Sequence, residues 1–228
     1  MTRAAALRRI GLLSTLSPAR LREVERLARE TDVAAGQSVF GKRESADAMF
    51  VVLSGRIKIF ADSAGRKKKT FAYLTAGDFF GEMSLIDDSP RSASAQAVED
   101  SRLLVLRKRD FNRLLARDPS IARYLLQAVC ARLRRANDEI EGLLFRNVLG
   151  RTAKAVLNLA RRGQPWNEGS VLAQRYTQQE LAEYVGTTRE PLARALSSLR
   201  RAGLVSQTDD GRYAVPDLKK LAAIGSDD

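Results

Sequence analysis

The chain has 228 residues, 44% of them hydrophobic, with 39 Lys+Arg against 27 Asp+Glu for a net charge of +12, one cysteine and no histidine. That length suits two domains of about 100–150 residues, and no apolar run approaches the roughly 20 residues of a membrane helix. With no histidine and only Cys130, the chain lacks the parts for disulfide frameworks, Cys/His zinc sites, histidine-ligated haem, iron–sulfur clusters and histidine-based nucleophilic catalysis.

The basic excess favours a polyanionic partner such as nucleic acid, but it is spread along the chain and locates no face. Arg8 and Arg9 interrupt the apolar core a secretory signal would need, so the expected location is cytoplasmic, with no membrane partner. Cys130 falls in a helical pattern and is expected to be a small core residue.

In chain order, the first element is a short helix in "SPARLREVERLAR", with Ser17 as N-cap and Pro18 at the first helical position. From about Val39 to Val105, the runs "MFVVLSG", "RIKIFADSAG", "KTFAYLTAGDFFG" and "SASAQAVEDSRLLVL" alternate with glycine and proline turns. Their spacing predicts an antiparallel barrel or sandwich. Pro119 to Phe145 reads as one long helix on which Leu126, Val129, Leu133, Ala136, Ile140 and Leu143 follow a 3-4 spacing. That stripe fits the seam of a two-stranded coiled coil, and it also permits packing on the helix's own domain; length, the small Ala136 and flanking charges favour a dimer. "GRTAKAVLNLARRG" follows as an amphipathic helix burying Ala153, Val156, Leu157 and Ala160, with Gly163 as its cap.

The local signals are most complete near the end of the chain. Thr177 and Glu180 form a capping box opening a helix that buries Leu181 and Val185, and Gly186 turns the chain. Thr188 caps a second helix, which tolerates Pro191 in its first turn, buries Leu192, Ala195, Leu196 and Leu199, and stops at Gly203. Two strands then flank Asp210-Gly211, a favoured hairpin turn. Helix, glycine turn, helix and hairpin describe a winged helix-turn-helix whose second helix enters a DNA major groove. Arg189, Glu190 and Arg194 on its N-terminal side are suited to base edges. Gln178, Thr187, Thr188, Arg200 and Arg212 are suited to phosphates.

Together, "GDFFGEMSL" and "PRSA" in the barrel, the long helix, "GRTAKAVLNLA" and "TQQELAEYVGTTREPLAR" resemble the CRP/FNR family of bacterial transcription regulators over nearly the whole chain. The resemblance implies an α+β fold: a cyclic-nucleotide-binding β-barrel of jelly-roll type over 1–118, a dimerisation helix over 119–145 and a winged helix-turn-helix over 146–228. It implies that Gly81 and Glu82 hold a ribose 2′-hydroxyl, with Met83 beside them, and that Arg91 and Ser92 hold a cyclic phosphate. Such chemistry is sound, because a carboxylate accepts from a hydroxyl while a guanidinium satisfies phosphate oxygens. On the long helix, Ala136 and Asn137 stand where two polar residues contact adenine in cyclic-AMP-binding members, so Asn137 keeps one base contact and Ala136 loses the other. Glu82 and Arg91 could otherwise form a buried structural ion pair in a barrel that binds nothing.

The expected function is therefore a homodimeric regulator that binds a palindromic double-stranded DNA site and contacts RNA polymerase. Its effector is a cyclic nucleotide, cyclic AMP first among them, with no metal. A regulator acting without a ligand, or with another effector, is the alternative. An enzyme is not expected: no phosphate-binding G-x-x-x-x-G-K-[ST] is present, and Asp87-Asp88 and Asp209-Asp210 lie at turns that send adjacent side chains apart.

Overall fold

The computed structural model describes residues 10–14, 16–62, 68–160 and 170–225. They divide into two compact units, Met1–Ala61 with Phe71–Leu133 and Asp62–Thr70 with Arg134–Asp228. The predicted cap of the "GRTAKAVLNLARRG" helix at Gly163 lies outside the described residues.

In the first unit, α1 (Gly11–Ser14) and α2 (Pro18–Leu27) precede the strands. Ser17 caps α2 as expected, its side chain accepting from the Arg20 amide. Two four-stranded antiparallel sheets follow. One has the order β1-β8-β3-β6, built from Arg29–Val33, Ser101–Arg107, Ala48–Ser54 and Phe79–Phe80. The other has the order β2-β7-β4-β5, built from Ser38–Phe40, Ser94–Ala97, Ile57–Asp62 and Lys68–Leu74.

The sequences "AMFVVLS" and "SRLLVLR" are nearly continuous in apolar residues because β3 and β8 are covered on both faces. Met49, Val51, Leu104 and Leu106 pack with Leu21 and Val24 of α2 and Phe111 and Leu114 of α4 (Lys108–Arg117). The alternate residues Val52 and Leu103 meet Ile57, Phe80, Ala95 and Ala97 between the sheets. Each such buried aliphatic side chain contributes about 1.5–3 kcal/mol as an upper bound.

Two stretches depart from their expected conformation. Just after the run ending at Gly81, within the stretch from Val39 to Val105 expected to form strands and turns, the chain makes a helical turn, α3 (Met83–Ile86). The chain between the first helix and Val39 pairs as β1, in register from Arg29 opposite Val105 to Val33 opposite Ser101.

Helix α5 spans Pro119–Phe145 as expected. Ile121 and Leu125 are buried in the first unit's core, and the division between units falls within this helix. The second unit continues with α6 (Val148–Ala160), which buries all four predicted residues. It then has β9 (Ser170–Val171), α7 (Gln178–Val185), α8 (Arg189–Arg201), β10 (Ser206–Gln207), β11 (Tyr213–Val215) and α9 (Leu218–Gly225). The hairpin gains a third strand, with the order β10-β11-β9. No helix among the described residues is long and apolar enough to cross a membrane.

Candidate functional site

The stretch from Phe79 to Ala97 brings Gly81, Glu82 and Arg91 together within the first unit. Gly81 holds φ +81°, and a Cβ there would lie 2.6 Å from Arg91 Nη1, so both backbone and contact demand glycine. Arg91 is fixed at its backbone by the 41–47 loop: its amide donates to the Glu44 carbonyl at 2.9 Å, and its carbonyl accepts from the Arg43 amide at 2.8 Å. Its side chain is only 5% exposed. Nη1 donates to the Gly81 carbonyl and Nη2 to the Ala48 carbonyl, each at 2.7 Å. The guanidinium carbon stands 4.1 Å over the Phe40 ring and 5.8 Å from the Phe50 ring centre.

Glu82 is fully buried, at 0% exposure, and does not pair with Arg91. Its Oε1 accepts at 2.5 Å from Nη1 of Arg132 on α5, whose Nη2 donates to the Phe79 carbonyl at 2.8 Å. The Arg132 guanidinium also covers the Phe79 ring at 5.0 Å. The alternative of a Glu82–Arg91 structural ion pair is thereby corrected: the acid's counter-ion comes from the long helix. Sequence reasoning missed Arg132, because nothing in "ARLRRAND" separates it from Arg134 or Arg135.

Two buried atoms in this cluster have no partner among the described residues, Arg91 Nε and Glu82 Oε2. Burial pulls the Arg91 guanidinium below its ordinary pKa, and the negative fields of Asp47, Glu44 and Glu82 oppose that shift. An orphaned donor on a buried cation and an orphaned carboxylate oxygen are costly to leave unmet. A ligand offering an anionic acceptor to one and a hydroxyl to the other has the complementary chemistry. Of the remaining predicted ligand residues, Met83 is 45% exposed. Ser92 is exposed next to Arg91, and Asn137 and Ala136 are exposed on α5.

Along α5 the predicted seam is exposed in the single chain: Leu126 at 66%, Leu133 at 60%, Ile140 at 57% and Leu143 at 50%. Cys130 is exposed on the same helix, which corrects its expected place in the core: it lies on a part of α5 whose apolar residues Leu126, Val129 and Leu133 are themselves exposed.

In the second unit, the capping box is complete. Thr177 Oγ1 accepts from the Glu180 amide at 3.1 Å, and Glu180 Oε2 accepts from the Thr177 amide at 2.8 Å. Gly186 adopts φ +78° and its amide closes α7 on the Ala182 carbonyl. Thr188 precedes α8 in an extended conformation but makes no side-chain cap, so its expected capping bond is absent. Leu192, Ala195, Leu196 and Leu199 form the buried face of α8 as expected.

Arg189, Glu190 and Arg194 are exposed on the opposite side, with Glu190 and Arg194 paired at 3.2 Å. Gln178 and Thr187 are half-buried and Thr188 exposed, around the start of α7 and the turn. Two predicted phosphate contacts have intramolecular partners. Arg200 donates to Gln207 Oε1 at 3.1 Å and covers the Tyr213 ring, and Arg212 pairs with Asp210 at 2.6 Å. Both brace the hairpin.

With this geometry established, the comparisons with known proteins agree in both halves. Residues 30–118 match the cyclic nucleotide-binding domain family and residues 150–224 the Crp-like helix-turn-helix domain family. The chain is 38% identical over 170 residues to the cyclic AMP receptor protein of Thermus thermophilus, covering 75% of this chain and 76% of that one. It is 28% identical over 217 residues to a CRP-like cAMP-activated global transcriptional regulator of Mycobacterium tuberculosis, covering 95% and 96%. The crystal structure of Thermus thermophilus catabolite activator protein aligns at 33% identity with a TM-score of 0.55, over 94% of this chain and 98% of that one. A cyclic nucleotide-binding domain joined to a DNA-binding helix-turn-helix, in a chain this similar to known regulators, makes it a transcription regulator and not an enzyme, and the chain belongs to the CRP/FNR family.

Proposed function

We propose that this regulator is a homodimer whose affinity for a palindromic DNA site is set by a cyclic nucleotide, cyclic AMP first among them, bound at the Gly81–Glu82–Arg91 cluster. The observation that carries the reading is the buried Arg91: a cation 5% exposed, held by two carbonyls, with Nε orphaned in the same cluster as an orphaned oxygen of Glu82. A cyclic phosphate supplies the missing acceptor and a ribose hydroxyl the missing donor. Gly81 admits the ligand's close approach, and Met83 and Ser92 flank it. The names of the Thermus and Mycobacterium relatives, a cyclic AMP receptor and a cAMP-activated regulator, support the choice of ligand.

Dimerisation is supported by the exposed 3-4 stripe of α5, which a second copy would bury. DNA recognition is assigned to residues 146–228. Arg189, Glu190 and Arg194 read bases there, and Gln178, Thr187 and Thr188 approach phosphates. Arg200 and Arg212 reach phosphates only by leaving their hairpin partners. The ligand acts by binding the DNA-competent arrangement more tightly than the other, since equal affinity shifts nothing. A cytoplasmic location and contact with RNA polymerase complete the reading.

Isothermal titration with cyclic AMP, cyclic GMP and cyclic di-GMP, paired with DNA-binding assays on a selected site, tests it. Cyclic AMP is expected to bind and to raise DNA affinity. Absence of binding by all three, with DNA affinity unchanged, would reject it. A ligand-independent regulator is the second reading; the Arg132–Glu82 pair favours it, since it already meets half of the acid's need.

A further inference from the structure

Three phenylalanines from three separate segments meet beside Arg91. Phe40 ends β2, Phe50 lies in β3 and Phe80 ends β6. Their ring centres are 5.8 Å apart for Phe40–Phe50 and Phe40–Phe80 and 5.2 Å for Phe50–Phe80, with the last pair stacked. Nothing about the fold requires aromatic rings at all three places, since aliphatic residues fill the rest of the inter-sheet core. The guanidinium of Arg91 lies over this group, closest to Phe40 at 4.1 Å.

A guanidinium stacked on a ring keeps its N–H groups in the plane and free for acceptors, which a bare apolar wall would not enforce. Two of the five N–H groups are spent on the Gly81 and Ala48 carbonyls. Stacking and carbonyls together hold the group in one pose, in which the buried Nε is left without a protein acceptor. Pre-organising a donor in this way spares the binding step the entropy of ordering it.

We infer that Phe40 is a positioning residue for the anion-binding guanidinium, its ring face holding Arg91 in the plane that presents the Nε edge to a phosphate. This rests on the proposed cyclic-nucleotide reading and deepens it. The inference concerns the face of the ring rather than its bulk. Phe40 is half-buried, so leucine or methionine can fill its place while removing the π-face, and tyrosine or tryptophan can keep that face.

The experiment is a titration of cyclic AMP into full-length wild type, Phe40→Leu, Phe40→Met, Phe40→Tyr and Phe40→Trp, with the thermal midpoint of each ligand-free protein measured alongside. Leucine and methionine are expected to weaken cyclic AMP binding by about three- to thirtyfold, the range of one partly desolvated cation–π contact. Tyrosine is expected to retain wild-type affinity. Two aliphatic variants guard against one that fails to fold, and tryptophan against a clash of the tyrosine hydroxyl. If wild type binds and the aliphatic variants bind equally well, the inference is overturned while the reading of the site stands. If the aromatic variants lose as much as the aliphatic ones, the ring face is irrelevant and the inference is again overturned. If wild type binds no cyclic nucleotide, the reading of the site falls and takes this inference with it.

Discussion

The helix-turn-helix and the barrel cluster solve opposite problems with the same chemistry. In the second unit, several polar groups of the motif find partners within a few residues: Thr177 with Glu180, Glu190 with Arg194, and Asp210 with Thr208 and Arg212. In the first unit, Arg91 depends on Gly81, Ala48 and Phe40, and Glu82 depends on Arg132, 50 residues away. The local network is exposed and nearly satisfied. The long-range network is buried and leaves one donor and one acceptor over. A surface that must meet DNA can let water satisfy it between encounters, whereas a buried cluster with unmet groups has use for a ligand.

The sharpest way to break this comparison is to remove a long-range partner. Arg132→Ala leaves Glu82 buried without its counter-ion and should destabilise the chain by about 3 kcal/mol in denaturant unfolding, the low end for a buried pair. The low end applies because the Arg132 side chain remains 35% exposed. Adding Glu82→Gln to that variant should restore most of the loss, since no buried carboxylate is then left without its counter-ion; a fully additive double variant would show that the two groups are energetically independent.

A smaller effect is expected at the DNA surface. Arg189→Ala should weaken binding to a selected site by about 1–3 kcal/mol and relax base preference there, with folding stability unchanged. Equal losses on selected and random DNA would move Arg189 from base to phosphate contact. Smaller still is the local cap: Thr177→Ala should cost about 1 kcal/mol of stability, measured by thermal or denaturant unfolding, because it opens one side of the capping box.

The least effect concerns the hairpin. The Thr208 hydroxyl, with Arg212 behind it, holds the exposed Asp210 carboxyl down to about 2. A depressed carboxylate pKa stabilises the folded form above the ordinary aspartate value near 4, and that contribution is lost as pH falls toward the folded value. Amide shifts of Thr208 and Gly211 should therefore stay constant from neutral pH to about pH 4 and move below it. Movement between pH 5 and 7 would contradict the assignment.

The same contrast explains what was legible in the chain. Ser17 with Pro18, Thr177 with Glu180, and Gly186 were readable because a cap or a left-handed turn is specified by neighbours in sequence. Strands β3 and β8 announced themselves by burial on both faces. Strand β1 did not, because four of its five residues are exposed and only Val33 faces the core. Helix α3 is a single turn with no period to detect, and β9 has two residues whose identity as strand comes from pairing with β11.

At the site, Gly81, Glu82 and Arg91 were found through the resemblance, and the structure brings them together. Their partners were not, since an arginine on a helix and a phenylalanine at a strand end carry no mark of the group they will meet. Arg200 shows the converse: its type suits a phosphate, and in the fold its guanidinium also meets a glutamine and a tyrosine of the adjoining hairpin.

Control of DNA binding by an anionic ligand acting through Arg91 is tested most directly by the DNA affinity of wild type and Arg91→Ala titrated with cyclic AMP under the same salt. Wild-type affinity is expected to rise with cyclic AMP while the folded Arg91→Ala protein does not respond. Equal DNA affinity for both proteins at every concentration of the nucleotide would contradict it.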